Sequence, residues 1–451
     1  MSTRFEARKA WGIAAMLAAL QLVNFVDKVV VGLVAVPMME ELQLTPVQFG
    51  MVAGSVFWLF SVGGVAGGFL ANRFPTRWLL LGMAAAWSLV QLPIATSSSL
   101  AVIVAARVLL GLTEGPSAPV ASHSMFKWFP DSKRSLPTAL INVGATCGVL
   151  VAGLFIPVVS RHWGWRANFW VLAAIGVLWA MLWLAFGREG RIGTSADSPD
   201  EATAGLRERV PYRRLLADTT FLGACFMHFC AFWTTALGLT WLPAYLDKGL
   251  GFSGQHGGQM FALIIALSVP VMFLVSWLSQ HLRERGAGSR RSRVWVGCAA
   301  LAASGIAFAL PWITPGLGPL AKGLALSVGL GLSTAVYSMA PPLIGEIAPL
   351  RQRGALLAIE VAVFGSIAGV LAPVLLGWAV QGNGVAAVHG YELGFAISGA
   401  LSLVGGLLVL GMAHPERSRR NLHGSAAARQ QPPQQPAASR APDRQAAPRA
   451  T

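Results

Sequence analysis

The chain is poor in charge, in acidic residues above all, and in cysteine. Only 12% of its 451 residues are charged, with 19 Asp and Glu against 34 Lys and Arg. Soluble domains carry about 25% charged residues, so a water-soluble globule is excluded. With 55% hydrophobic residues, a disordered chain is excluded as well. The surplus apolar surface calls for an apolar solvent. The four cysteines, Cys147, Cys225, Cys230 and Cys298, all sit in apolar stretches without the flanks of a zinc or disulfide framework. They read as small core residues. No HExxH, no GxSxG and no metal-ligand cluster occurs in the sequence, and its polar segments are too short for a catalytic domain. An enzyme, a metal site and a bound cofactor are therefore not expected.

What the chain does have is long apolar runs. They fall near 11–36, 49–70, 78–96, 100–122, 136–159, 167–186, 219–246, 257–279, 294–312, 320–343, 354–380 and 392–412. Each is close to the ~20 residues that cross hydrocarbon as a helix. The connections alternate in charge. One set holds Arg4, Arg8 and Lys9 before the first run; Arg73 and Arg77; Lys127, Lys133 and Arg134; six Arg in 187–218; Arg283, Arg285, Arg290, Arg291 and Arg293; and Arg351 and Arg353. The tail after 412 adds seven Arg to this set. The other set of loops holds Arg161, Arg166, Lys248 and Lys322. This asymmetry is the positive-inside signal and places both termini in the cytoplasm. It also explains the net charge of +15 without a nucleic-acid partner. The basic start followed by an apolar run resembles a signal peptide, but the run passes through Asp27 and Lys28 and reads as a retained first helix.

The fold class that follows is an all-α membrane protein with twelve transmembrane helices in two pseudo-symmetric six-helix bundles. Residues 1–186 form the first bundle, 187–218 a cytoplasmic linker, 219–412 the second bundle and 413–451 a disordered cytoplasmic tail. The halves repeat. Thr45, Gly50, Asn72 and Arg77 match Ser253, Gly258, Gln280 and Arg285, while Pro130 and Arg134 match Pro349 and Arg353. Repeated halves of this kind place a substrate site at their interface near mid-membrane and rock about it.

The stretch Gly68-Phe-Leu-Ala-Asn72-Arg73-Phe-Pro-Thr-Arg77 resembles the loop between helices 2 and 3 of the major facilitator superfamily, with Asn72 at the usual acidic position and Pro75 at a usual glycine. Several further segments resemble the anion:cation symporter branch. They are Asn24-Phe-Val-Asp27-Lys28, Arg107-x(3)-Gly111-x(2)-Glu114-Gly115, Trp128-Phe-Pro130, Trp163-Gly-Trp-Arg166, Leu239-Thr-Trp-Leu-Pro-Ala-Tyr245 and Gly365-Ser-Ile-Ala-Gly369-x(3)-Pro373. The resemblance covers residues 11–412. It implies a major facilitator fold in a bacterial-type inner membrane, a monomer working in the bilayer, and import of a small organic anion with protons. A proton-coupled exporter is the alternative, although its usual Gly-Pro-x-x-Gly-Gly element is missing. A symporter of hexuronate- or galactonate-like sugar acids is another.

Ionisable groups at mid-membrane cost about 2.5–3.5 kcal/mol each on insertion scales and mark functional sites. Asp27 and Lys28 lie about 5 Å beyond the centre of the first helix, and Arg107 about 6 Å to the same side of the fourth. Glu114, seven residues on, shares Arg107's face about 10 Å deeper. Lys28 and Arg107 are candidates for binding the anion, Glu114 and Asp27 for carrying the proton. The competing structural reading pairs Asp27 with Arg107 and Lys28 with Glu114, locking the two helices together. Phe60 and Trp233 are candidate contacts for the substrate body. Where the branch often has Tyr, Gln and Asn, this chain has Phe60, Gly64 and Ala362, which favours an aromatic or apolar carboxylate over a sugar acid. Asn72, Arg73 and Arg77 are candidate gate residues, meeting helix ends of the other half when the cytoplasmic side closes. His228 reads as a packing histidine and Glu360 as a residue near the cytoplasmic mouth; both remain outlying candidates.

Overall fold

A computed structural model describes residues 6–130, 133–190, 210–383 and 388–430. Among these there is no strand. Twelve helices are long and apolar enough to cross a membrane. In the first half they are α1 (Ala7–Leu33), α2 (Pro46–Ala71), α3 (Thr76–Thr96), α4 (Leu100–Phe126), α5 (Leu136–Trp163) and α6 (Ala167–Phe186). In the second half they are α7 (Thr219–Thr240), α8 (Gly254–Glu284), α9 (Arg290–Ile313), α10 (Pro319–Ile347), α11 (Gln352–Asn383) and α12 (Val388–Met412). Their lipid-facing surfaces stay apolar, with Phe155, Leu178, Phe273 and Trp378 all more than half exposed in the isolated chain.

The helix starts follow from local chemistry. Thr45 and Gln48 form a reciprocal capping box, with Pro46 in the first turn of α2. Asp218 caps α7 by accepting from the backbone N–H groups of Thr220 and Phe221. Several helices are interrupted at mid-depth. α2 tightens over Ser55–Phe57, α10 tightens over Ala335–Ser338, and α11 widens into a π-helical turn over Glu360–Gly365. Such interruptions leave backbone carbonyls free for side chains and mark working positions.

We call the end holding both chain termini the terminal end and the other the far end. The halves touch closely at the far end, where glycine replaces a side chain. A Cβ on Gly32 of α1 would lie 2.1 Å from the Leu239 carbonyl oxygen of α7. The corresponding approach of Gly50 on α2 to the Pro373 oxygen of α11 is 2.4 Å, and that of Gly258 on α8 to the Gly153 oxygen of α5 is 2.1 Å. Lys248 adds an ion pair to Glu40 at 2.7 Å across the same seam. The Trp163–Arg166 motif braces the first half at this end. Arg166 pairs with Glu41, donates to the Ser97 carbonyl and lies 4.3 Å over the Trp165 ring, whose indole N–H also reaches Glu41.

Two expectations change. Lys322 is no loop residue: it is 6% exposed inside α10, and its ammonium lies 2.7 Å from Glu392 of α12, which also accepts from the Tyr245 hydroxyl at 3.0 Å. The charge is neutralised where it stands, so it carries no topological signal. The tail does not turn irregular at 413 either. Pro415–Gln430 is a helix, α13, anchored by a Thr220–Ser418 hydroxyl contact of 2.7 Å, by Glu416 accepting from the Arg290 backbone and by buried Leu422. The expectation of a disordered tail beyond it falls on 431–451, outside the described residues, as does most of the linker at 191–209.

Candidate functional site

Within one turn of α1 the chain sets an amide, an acid and a base: Asn24, Asp27 and Lys28. Spaced four apart, Asn24 and Lys28 share a face, and the Lys28 ammonium donates to Asn24 Oδ1 at 2.7 Å. It also lies 4.5 Å from the ring centre of Phe25 and 5.1 Å from that of Phe60 on α2. Two aromatic faces thus flank the charge. Among the described residues no carboxylate lies within ion-pair distance of Lys28, which is half-buried and uses one of its three donors. Asp27, on the neighbouring face, accepts from Gln91 Nε2 of α3 at 2.9 Å.

Arg107 and Glu114 come from α4. Arg107 is 1% exposed and is spent on α2: its Nε donates to the Val52 carbonyl at 2.9 Å and Nη2 to Ala53 at 3.3 Å, just before the tightened segment. Its Nη1 has no partner. Close packing makes this reach possible, since a Cβ on Gly63 of α2 would stand 2.0 Å from the Leu112 oxygen of α4. Glu114 is wholly buried, and neither carboxyl oxygen has a hydrogen-bond partner. It lies within electrostatic reach of Lys28, Arg107 and Asp27. The two interhelical ion pairs of the structural reading are absent among the described residues. Each group is instead held by neutral partners, and Glu114 by none. That leaves two acids and two bases in electrical balance with spare donors and acceptors among them.

The other candidates are distributed as follows. Phe60 joins the Lys28 cluster. Trp233 is 5% exposed, and its indole N–H donates to Ser398 of α12 at 3.0 Å, tying it to the last helix within the second half. Arg77 donates to the Leu184 carbonyl of its own half at 2.8 Å, and Arg73 is exposed. The Asn72 side chain lies outside the described residues. His228 of α7 and Glu360 of α11, never joined by sequence reasoning, stand 3.3 Å apart. Sequence reasoning gave no role to Gln21, Asn24 and Gln91, buried amides that each keep an unpartnered polar atom, and quoted Asn24 only as part of a motif. Their signal was available: Gln91 is a lone amide in an apolar run. A separate cleft of about 740 Å3, lined by Val36, Glu40, Arg161 and Asp247, opens at the far end beyond the Gly32 contact and away from the charged cluster.

Residues 17–373 match the description Major Facilitator Superfamily. The chain belongs to this family. Within the major facilitators, it is 26% identical over 428 residues to a probable sulfoacetate transporter of Cupriavidus necator, covering 91% of this chain and 95% of that protein. It is 25% identical over 293 residues to a chloroplastic ascorbate transporter of Arabidopsis thaliana, covering 62% of this chain and 53% of that one. The chain thus spans about half the length of that chloroplast relative. Among solved structures it superposes on a bacterial homologue of the human lysosomal transporter Spinster, in an inward-facing, occupied conformation, with a TM-score of 0.74. That likeness has 17% identity over 93% of this chain and 98% of the other, and it establishes the major facilitator fold.

Proposed function

We propose that this major facilitator is a secondary active transporter that imports a small organic anion together with protons by alternating access. The observation that carries the reading is Glu114, fully buried with both oxygens unpartnered, set within electrostatic reach of a Lys28 ammonium that has donors to spare. Two acids and two bases sum to zero. An incoming carboxylate on Lys28 would leave one net negative charge in a low-dielectric interior, a state worth several kcal/mol to avoid. A proton on Glu114 restores neutrality, and only then does the loaded carrier turn. Release reverses the order: the proton leaves to the cytoplasm, Glu114 reclaims Lys28 and Arg107 electrostatically, and the anion is expelled.

The relatives' names support an organic anion, since one is called an ascorbate and one a probable sulfoacetate transporter. Lys28 would take the acid group and Phe25 and Phe60 the apolar body of the substrate. With the basic connections on the cytoplasmic side of a bacterial-type inner membrane, the glycine contacts at Gly32, Gly50 and Gly258 shut the outer face, and the 187–218 segment joins the halves inside. Arg73 and Arg77 would act in the opposite state, when the cytoplasmic side closes. Arg77 holding a carbonyl of its own half fits an inward-open arrangement.

The test is uptake into proteoliposomes, after a thermal-shift screen of aromatic carboxylates, sugar acids and sulfonates has found a ligand. Uptake should rise with an inward proton gradient. Indifference to both pH gradient and membrane potential rejects proton symport.

A further inference from the structure

A second pair of titratable groups lies in the other half. His228 Nδ1 and a Glu360 oxygen are 3.3 Å apart, with side chains 8% and 0% exposed. Their alignment makes no hydrogen bond, so both Glu360 oxygens and His228 Nδ1 remain unpartnered. Glu360 opens the π-helical turn of α11, and the neighbouring Ala362 carbonyl accepts from the Ser61 hydroxyl of α2. Phe57 of α2 meets Phe232 of α7 edge-on at 5.3 Å, and Phe232 stacks with His228 at 6.2 Å. Phe57 in turn lies 6.0 Å from Phe60, which flanks Lys28. A strip of three aromatic rings therefore runs across the seam between the halves, with Lys28 at one end and His228–Glu360 at the other.

We propose that His228–Glu360 receives the second acid group of a doubly charged substrate, together with a second proton. The inference rests on the transport reading above and extends it to substrate class and stoichiometry. Charge balance carries it. With one shared proton the pair is neutral, the form suited to a buried site in the empty carrier. With a second proton it becomes imidazolium plus carboxylic acid, net positive, and needs an anion beside it. The proton comes from water on the outer side and leaves to water on the inner side; only N–H and O–H bonds form and break. Glu114 balances the acid group at Lys28 and the charged pair balances the other, so two protons accompany one dianion. The aromatic strip sets the remaining requirement, an apolar body between the two acid groups.

The other titratable groups near the pair are Cys225, on α7 within electrostatic reach of Glu360, and Tyr337 of α10, its ring 5.1 Å from the imidazole and its hydroxyl 3.0 Å from that of Thr235. α2 contributes uncharged Ser61 and Phe57 here. α1 meets α7 nearer the far end, at Gly32, and its Asp27 and Lys28 belong to the other cluster.

The test compares binding of terephthalate with benzoate, and adipate with hexanoate, to the purified full-length chain, with proton uptake measured per bound anion. The dianions should bind at least about tenfold more tightly, taking up two protons against one. His228→Gln removes the group that becomes positive, so the preference should vanish and uptake fall to one. Glu360→Gln disturbs the site but leaves an imidazole able to take the same proton, so the count should stay at two even where the dianion's affinity falls. A pair that only packs the helices would make the two variants behave alike, and that result overturns the proposal. Equal binding of mono- and dianions by the wild type, or failure of every dianion to bind, overturns it too, even if His228→Gln does not fold. Where the preference for dianions is absent, coupled uptake of a monoanion that depends on Glu114 would leave the transport reading standing while this one falls.

Discussion

Gly32 offers a direct handle on the closed far end, the outer face in the proposed orientation. Its missing Cβ would stand 2.1 Å from the Leu239 carbonyl oxygen and 3.0 Å from both the Leu239 carbonyl carbon and Thr240 Cα. All three are backbone atoms, so no side chain can swing aside, and Gly32→Ala must push α1 and α7 apart. Overpacking of this kind costs about 1–3 kcal/mol, which shifts an equilibrium by about 5- to 150-fold. That cost applies only to the state in which the far end is shut, so the variant should populate the state open there. Spin labels at exposed Gln43 and Ser253, one on each half at this end, report it as a longer inter-label distance. Gly82→Ala, at a glycine with nothing within 4 Å of the added carbon, is the control and should leave the distances alone. An unchanged distribution in Gly32→Ala would refute the claim that this contact holds the outer gate.

Three further outcomes are expected. Lys28→Ala should weaken anion binding by roughly ten- to hundredfold, the loss of a charge-assisted hydrogen bond of about 1.5–3 kcal/mol, as read by calorimetry; an unchanged affinity would remove Lys28 from the site. Lys322→Met should lower thermal stability by about 3–5 kcal/mol by stranding the buried Glu392 carboxylate, and Lys322→Met with Glu392→Leu should recover most of it. Full damage in the double variant would show that the pair does more than neutralise itself. Glu189, at the start of the linker, is buried enough to raise its carboxyl, but hydrogen bonds from Lys127, the Arg77 backbone and Thr76 outweigh this and hold it below the usual range. Its contribution should be complete at neutral pH, begin to fall below about pH 4.3, and vanish as pH passes the lower folded-state value. Unfolding of Glu189→Gln should lack that acid dependence, and a matching acid limb in the variant would assign it elsewhere.

The twelve spans were legible because apolar runs and basic connections are long-range averages that tolerate single exceptions. Lys322 was such an exception, misplaced because a charge at the start of an apolar run looks like a loop boundary; lone Glu392 at the start of the last run was the clue to its partner. The intramembrane charges were visible one at a time, but what holds them was not. Asp27 is bound by Gln91 and Lys28 by Asn24, neutral amides that charge bookkeeping along a sequence overlooks. His228 and Glu360 were both noticed, yet their contact depends on how α7 and α11 pack. Helix α13 was hidden because its polar composition resembles a solvated tail, and its order comes from tertiary anchors at Ser418 and Leu422.

Whether Glu114 carries the proton that drives accumulation is decided by Glu114→Gln in proteoliposomes with an imposed pH gradient. Glutamine keeps the size and polarity of the side chain but cannot cycle a proton. Exchange of internal for external anion should continue while gradient-driven accumulation disappears. Accumulation at the wild-type level in this variant would contradict the claim.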